Sequence, residues 1–310
     1  MIARGLQFGT VLPSFDATLP RRAASLEEQG WDVLAAGEHV SFNMPGGNAF
    51  VSLAAAAAAT QRVRLLSSVT LLPLYPAALA AKMAAALDNV SGGRFMLGVG
   101  AGGESPKEFA ACGVDVATRG RRADEALTVM RRLWTEESVT HAGEFAHFDD
   151  VAIAPRPVQD GGVPIWVAGR KEAAMRRAAR HGDGWLPYMY SPEQLAHSIA
   201  TIAQQRPADR PAIVPGVFLW GCVHRDHDTA VAYAIEKLGR AYKQDFHRMI
   251  DRYLLVGTPE RCARRLQEYL DAGARMVIFS PACPDVHVDE HLCLLAGEVV
   301  PAASAATVRR

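Results

Sequence analysis

His39 closes the stretch WDVLAAGEH, directly after Glu38 and an apolar run, Trp31–Ala36. A histidine at the end of a strand can donate, accept or shuttle a proton near neutral pH. Glu38 stands beside it, and neighbouring side chains on a strand point to opposite faces. Both are candidate catalytic positions, with Glu38 the simpler fit to a structural or supporting role. A second constellation is the loop Gly98-x-Gly100-x-x-Gly103, whose glycines leave main-chain N–H groups free to approach an anion. A third is Val167-Ala168-Gly169-Arg170, which opens at once into the helix Lys171–His181. It offers N–H groups, a helix dipole and a guanidinium, a further place to hold phosphate. Two anion cradles on neighbouring strands suit a phosphorylated cofactor. The other histidines show no HExxH-like spacing, and no GxSxG nucleophile motif occurs, so neither a metal site nor a serine hydrolase is expected.

The glycine loop raises the question of a Rossmann dinucleotide site. That fingerprint wants an acidic residue at the end of the next strand, roughly 20 residues on. The corresponding stretch, Arg119–Trp134, instead has helical spacing, with Leu127, Met130, Leu133 and Trp134 on one face. The wider pattern also differs. Ser67–Leu72 and Phe95–Val99 are short apolar runs typical of buried parallel strands, joined by a helix over Pro76–Val90 that stops at Ser91-Gly92-Gly93. Further strands are predicted at Leu6–Val11, Trp31–Ala36, Leu65–Val69, Val163–Val167, Trp185–Leu186, Val214–Trp220 and Met276–Phe279. Helices at Ala23–Gln29 and Ala49–Thr60 fall between the first of them. About eight strands alternating with helices over roughly 250 residues predict a (β/α)8 TIM barrel, one α/β domain over residues 1–310. Two stretches break the rhythm: Thr140–Asp160 reads as an inserted hairpin, and Tyr242–Val256 as an insertion able to cover the barrel mouth. The tail, residues 302–310, reads as frayed.

Composition is consistent with this. The chain has 310 residues, 49% of them hydrophobic, and 33 basic residues balance 33 acidic ones. No global field draws it to nucleic acid or a membrane. Five scattered cysteines without a CxxC pair fit a reduced, cytoplasmic setting better than a disulfide framework. MIARGLQFGTVLP reads as a strand rather than a signal peptide, and no apolar run is long enough to span a bilayer.

Several separated motifs, in order from Gly5 to about Pro301, resemble the bacterial-luciferase-like monooxygenases. They are LLPLYPAALAAKMAAALDNVSGGRFMLGVGAGGESPKEFAACGVD, the Arg119–Trp134 helix, FDDVAIAPRPVQDGGVPIWVAGRKEAAMRRAARHGDGWLP and GTPERCARRLQEYLDAGA. The resemblance implies a TIM barrel binding coenzyme F420 or FMN at its C-terminal end. It implies either F420-dependent hydride transfer or flavin-dependent oxygenation of a small organic substrate, and a homodimer. Gly100-Ala101-Gly102 and Ala168-Gly169-Arg170 fall where family members bind the cofactor phosphate. Ser68-Val69 falls where many place a non-prolyl cis peptide. His39 matches the active-site histidine of the F420 branch, and Glu38 its acidic neighbour. One departure stands out: in the sugar-phosphate-oxidising F420 enzymes the glycine loop leads directly into a catalytic glutamate. Here Gly103 intervenes and displaces Glu104 by one position, so neither that substrate nor that acid role carries over. F420 is the preferred cofactor, with FMN the alternative. A barrel that binds flavin without turnover is a third reading.

Overall fold

In the computed structural model, which describes residues 5–308, the chain closes into a barrel of eight parallel strands. They are β1 (Gln7–Val11), β2 (Val33–Ala36), β3 (Arg64–Ser67) and β4 (Phe95–Gly100). The ring continues with β5 (Ile165–Ala168), β6 (Gly184–Leu186), β7 (Val214–Val223) and β8 (Met276–Pro281). Each strand pairs with the next in chain order, and β8 returns to β1 with Gln7 opposite Met276. Closure leaves no topological switch point, which removes the Rossmann alternative.

Period-two alternation sorts the strand residues between two cores. Val33, Ala35, Leu66, Met96, Trp166, Leu186, Met276 and Ile278 fill the barrel interior. Leu34, Leu65, Phe95, Leu97, Ile165, Val167 and Val277 face outward against the helices. Trp166 is the largest inner side chain and is fully buried. It fits because two neighbouring strands carry glycine beside it. A Cβ on Gly184 would lie 2.3 Å from Trp166 Cδ2, and one on Gly216 2.9 Å from Cζ3.

The expected strand Ser67–Leu72 is divided. β3 ends at Ser67, and after a break at Ser68-Val69 the short strand Thr70–Leu71 pairs instead with the end of β4. An antiparallel hairpin, Val139–Ala142 with His147–Val151, precedes β5. Its turn is held by Glu125, whose carboxylate accepts the N–H groups of Glu144, Phe145 and Ala146. The Tyr242–Val256 stretch starts where the helix His227–Tyr242 ends at left-handed Lys243 (φ 52°) and is anchored by buried Phe246. It holds a one-turn helix, Ile250–Tyr253, and a strand, Leu255–Gly257, beside β7. Three residues are too few for periodicity to show that strand. The tail departs from expectation: Val300–Val308 is helical, because PAASAA is rich in helix-favouring alanine and Ala303 is packed at 2% exposure. Residues 309–310 lie outside the described residues.

Two measurements probe this framework. Gly184→Ala should cost about 2–3 kcal/mol in urea unfolding by overpacking Trp166, with partial recovery when Trp166→Phe is added. Full stability of the single variant would remove Trp166 as the constraint. His291, on the helix Val288–Leu294, is 1% exposed and accepts the Val223 N–H at Nδ1 over 2.9 Å. Burial depresses its pKa from 6.5 to about 3. Above 6.5 the residue is neutral folded or unfolded. Below it only the unfolded chain takes the proton, so stability falls with pH, by about 2 kcal/mol at pH 5. His291→Leu should flatten the acid side of the stability profile by that amount.

Candidate active site

The carboxyl ends of the strands form the mouth where barrel enzymes place their chemistry. β2 delivers Gly37-Glu38-His39 there, just past its last residue, and Glu38 and His39 engage different partners. Glu38 is 9% exposed and its carboxylate is fully engaged. Oε1 accepts the Leu71 N–H at 2.9 Å. Oε2 accepts the Tyr75 hydroxyl at 3.0 Å, the Asn48 amide at 3.1 Å and the Ala49 N–H at 3.2 Å. Burial raises its pKa, against the opposing pull of these hydrogen bonds. The geometry is that of a clamp joining the β2 loop to the start of the helix Ala49–Ala59 and to the Leu71–Tyr75 turn.

His39 faces a different carboxylate. Its Nδ1 lies 3.1 and 3.3 Å from the two oxygens of Glu108, whose side chain is wholly buried and also accepts the Val40 N–H at 3.1 Å. With the carboxylate accepting, Nδ1 carries the proton and Nε2 is left as the acceptor. Among the described residues Nε2 has no protein partner, and the side chain is 29% exposed. Phe42 stacks on the imidazole, centroids 4.2 Å apart and planes 12° from parallel. Phe42 in turn meets Tyr242 edge-on at 5.9 Å, and the Asn43 amide donates to the Ala241 carbonyl at 3.1 Å. The loop bearing His39 is thereby tied to the end of the helix His227–Tyr242.

Glu108 was not singled out in the sequence. It sits on a six-residue helix, Pro106–Ala111, 69 positions beyond His39, and no spacing rule links the two. The one signal is local: a glutamate adjoining Phe109, itself fully buried, on a short helix whose other four residues are exposed. Glu104 also looks into the mouth, within electrostatic reach of His39, Arg170 and Glu108. It is open to solvent on one side, yet desolvation by the surrounding walls is the main cause raising its pKa.

The residues expected to hold a cofactor gather at the same end. The Ser68-Val69 peptide is cis. Strands crowd here: a Cβ on Gly98 would sit 1.9 Å from the Ser67 carbonyl, and one on Gly100 2.7 Å from Val69 Cγ2. Ser68 Oγ is buried with no protein partner. Gly100-Ala101-Gly102 continues from β4 into left-handed turns at Gly102 (φ 64°) and Gly103 (φ 106°). On β5, Ala168 leads to Gly169 (φ 122°) and Arg170 ahead of the helix Glu172–His181. Among the described residues the N–H groups of Lys171, Glu172 and Ala173 donate to no protein acceptor. Unspent amides, a helix start and a guanidinium fit a phosphate. Trp185, Tyr188 and Tyr190 brace this cradle. Trp185 Nε1 donates to the Gly169 carbonyl at 3.1 Å and the Tyr190 hydroxyl to that of Arg170 at 3.3 Å. The Arg170 guanidinium lies 4.7 Å from the centre of the Tyr188 ring.

Residues 16–276 match the luciferase-like monooxygenase family. The chain belongs to that family. An uncharacterized protein of Mycobacterium tuberculosis is 39% identical over 157 residues, covering 51% of this chain and 53% of the relative. The chain thus aligns with about half the length of the first curated relatives it matches. The F420-dependent glucose-6-phosphate dehydrogenase of Microbacterium testaceum is 28% identical over 89% of this chain and 90% of its own. The solved structure of the monooxygenase RslO1 from Streptomyces bottropensis superposes with a TM-score of 0.82 at 26% identity, over 96% of this chain and 99% of that one.

The division of labour between the two carboxylates is testable. Glu38→Gln points an amide N–H at donors that need an acceptor. It should cost about 1–3 kcal/mol in urea unfolding. A variant of unchanged stability would contradict the clamp.

Proposed function

We propose that this luciferase-like protein transfers hydride between coenzyme F420 and a small organic substrate. The observation that carries the reading is His39 itself, one nitrogen held by buried Glu108 and the other unpaired at the barrel mouth. Oxidation of an alcohol releases a hydride from carbon and a proton from oxygen, so the enzyme must take up the proton as the hydride departs. His39 Nε2 is the acceptor for it, and the donor in the reverse direction. Glu108 keeps Nδ1–H directed away from the mouth and fixes the ring, and Phe42 covers one of its faces. Deazaflavin, when bound, supplies or accepts the hydride. The Gly100–Gly103 loop and the Gly169–Ala173 segment would hold its anionic parts, with Arg170 adding a cation.

A second reading is oxygenation with reduced FMN, favoured by the likeness to RslO1 over nearly the whole chain. Titration with F420 and with FMN, each oxidised and reduced, separates the two. Affinity for F420 supports hydride transfer, and binding of reduced FMN alone would replace it with the oxygenase. The resemblance adds a cytoplasmic homodimer to the proposal, and light scattering of the purified chain measures the dimer.

His39→Ala should lower kcat about 100-fold or more with cofactor affinity unchanged. Equal turnover would remove His39 from the chemistry. Arg170→Ala should weaken cofactor binding about tenfold, roughly 1.4 kcal/mol. Unchanged affinity would refute the β5 cradle. Substitutions at Gly169 are less informative, because φ of 122° strains any other residue there.

A further inference from the structure

β3 places a charge on the inner face of the barrel. Its first residue is Arg64, ahead of Leu65 and Leu66. Gly9 lies opposite Val33 where β1 pairs with β2, and Val33 lies opposite Arg64 where β2 pairs with β3. Residues opposite one another on parallel neighbours share a face of the sheet, and Val33 faces the barrel interior. Arg64 therefore starts from the inner face, at the amino-terminal end of the ring. Toward the mouth the next residue on that face is Leu66, which clusters with Val33, Met96 and Ile278. These apolar side chains separate the guanidinium from His39 and from the cofactor loops.

Arg64 is half-buried, yet among the described residues its side chain has no hydrogen bond or ion pair. Other arginines withdrawn from water are supplied with acceptors. Arg94 donates to the carbonyls of Ala57, Thr60, Val63 and Ser91, and Arg177 pairs with Asp124 at 2.7 Å. Burial alone lowers the Arg64 pKa, with no neighbouring carboxylate to oppose it. A guanidinium keeps its charge, and a charge held out of water without a partner is costly. Gln7 repeats the pattern on β1. It is 8% exposed, period two places it on the same inner face as Gly9, and its Oε1 is buried with no donor. Alternate strands supply the side chains of one barrel layer, and β1 and β3 are such a pair. Two polar side chains thus enter the amino-terminal end of the barrel with atoms that the protein leaves unmatched.

We infer that this end of the barrel binds a small oxyanion, a carboxylate or a phosphate, on the Arg64 guanidinium with the Gln7 amide beside it. The planar fork of a guanidinium matches two oxygens of either group. A half-turn of the Gln7 amide exchanges its carbonyl for its NH2, a second donor. An anion here offsets the unpaired charge without touching the mouth, so the inference is independent of the hydride-transfer reading.

The test uses the full chain carrying Arg170→Ala, so that the cofactor cradle does not compete for phosphate. It is unfolded thermally with sodium phosphate or sodium acetate at constant ionic strength. At ten times its dissociation constant the bound anion should raise the folded-to-unfolded ratio about elevenfold. Adding Arg64→Met should abolish that gain, and the salt that acts distinguishes phosphate from carboxylate. A second measurement needs no variant: phenylglyoxal modifies arginines of the parent chain, and peptide mass locates the sites. The same anion should slow modification of Arg64 about tenfold and leave exposed Arg248 unchanged. Stabilisation by neither salt, equal stabilisation after Arg64→Met, or Arg64 modification indifferent to the anion would each overturn the inference.

Discussion

Glu38 draws donors from separate segments onto one carboxylate: the amide of Ala49 at a helix start, the Asn48 side chain, the Leu71 amide and the Tyr75 hydroxyl. Each of those donors, left buried and unpaired, would cost on the order of 1–3 kcal/mol, so together they fix the end of β2 against its neighbours. That constraint settles the direction of the next side chain. With Glu38 committed to the framework just past the end of β2, His39 turns to a different partner, Glu108. The acid adjacent in sequence is thus spent on structure. The acid that serves the histidine arrives from a helix beyond β4.

The same economy shapes the loop that follows. His39 is held at Nδ1 by Glu108 and on its ring face by Phe42. Phe42 and Asn43 are in turn seated against Tyr242 and Ala241, across the barrel mouth. A histidine at a loop start would otherwise sample several rotamers, and a proton acceptor must sit within hydrogen-bond reach to act. Packing from two sides restricts those rotamers and leaves Nε2 as the free atom.

Much of the fold was legible because barrel strands buried on both faces are apolar runs and some helices announce their ends, as at Ser91-Gly92-Gly93. The eight strands of the ring each correspond to an apolar run in the sequence. What escaped was short or non-local. Leu255–Gly257 carries too few residues for a pattern, and the break at Ser68-Val69 splits a run that reads as continuous. At the site, the glycine loop, the Gly169-Arg170 turn and His39 could be named from residue type and position at strand ends. The Glu38 network and Glu108 could not, because their meaning depends on partners 10 to 69 residues away. Sequence adjacency pointed to Glu38 as the acid beside His39, and only the three-dimensional arrangement shows a second carboxylate in hydrogen-bond contact with its ring.

Gly103 shows how one residue can separate members of a family by chemistry. Its φ is 106°, a backbone conformation that demands glycine. Inserted between Gly102 and Glu104, it moves Glu104 one position along the turn, out of the place where the sugar-phosphate-oxidising enzymes carry their acid. Glu104 still lies within electrostatic reach of His39 and Arg170, but the carboxylate in hydrogen-bond contact with the histidine is Glu108. Under the proposed reading the site has a histidine able to move a proton and draws its hydrogen-bonded acid from a different position on the chain. In the proposed reading the mouth's groups able to hold an anion lie on the β4 and β5 loops, where Arg170 stands beside unspent amides. There they would hold a charged cofactor apart from His39, so that anion binding and proton transfer would draw on different groups of the same mouth.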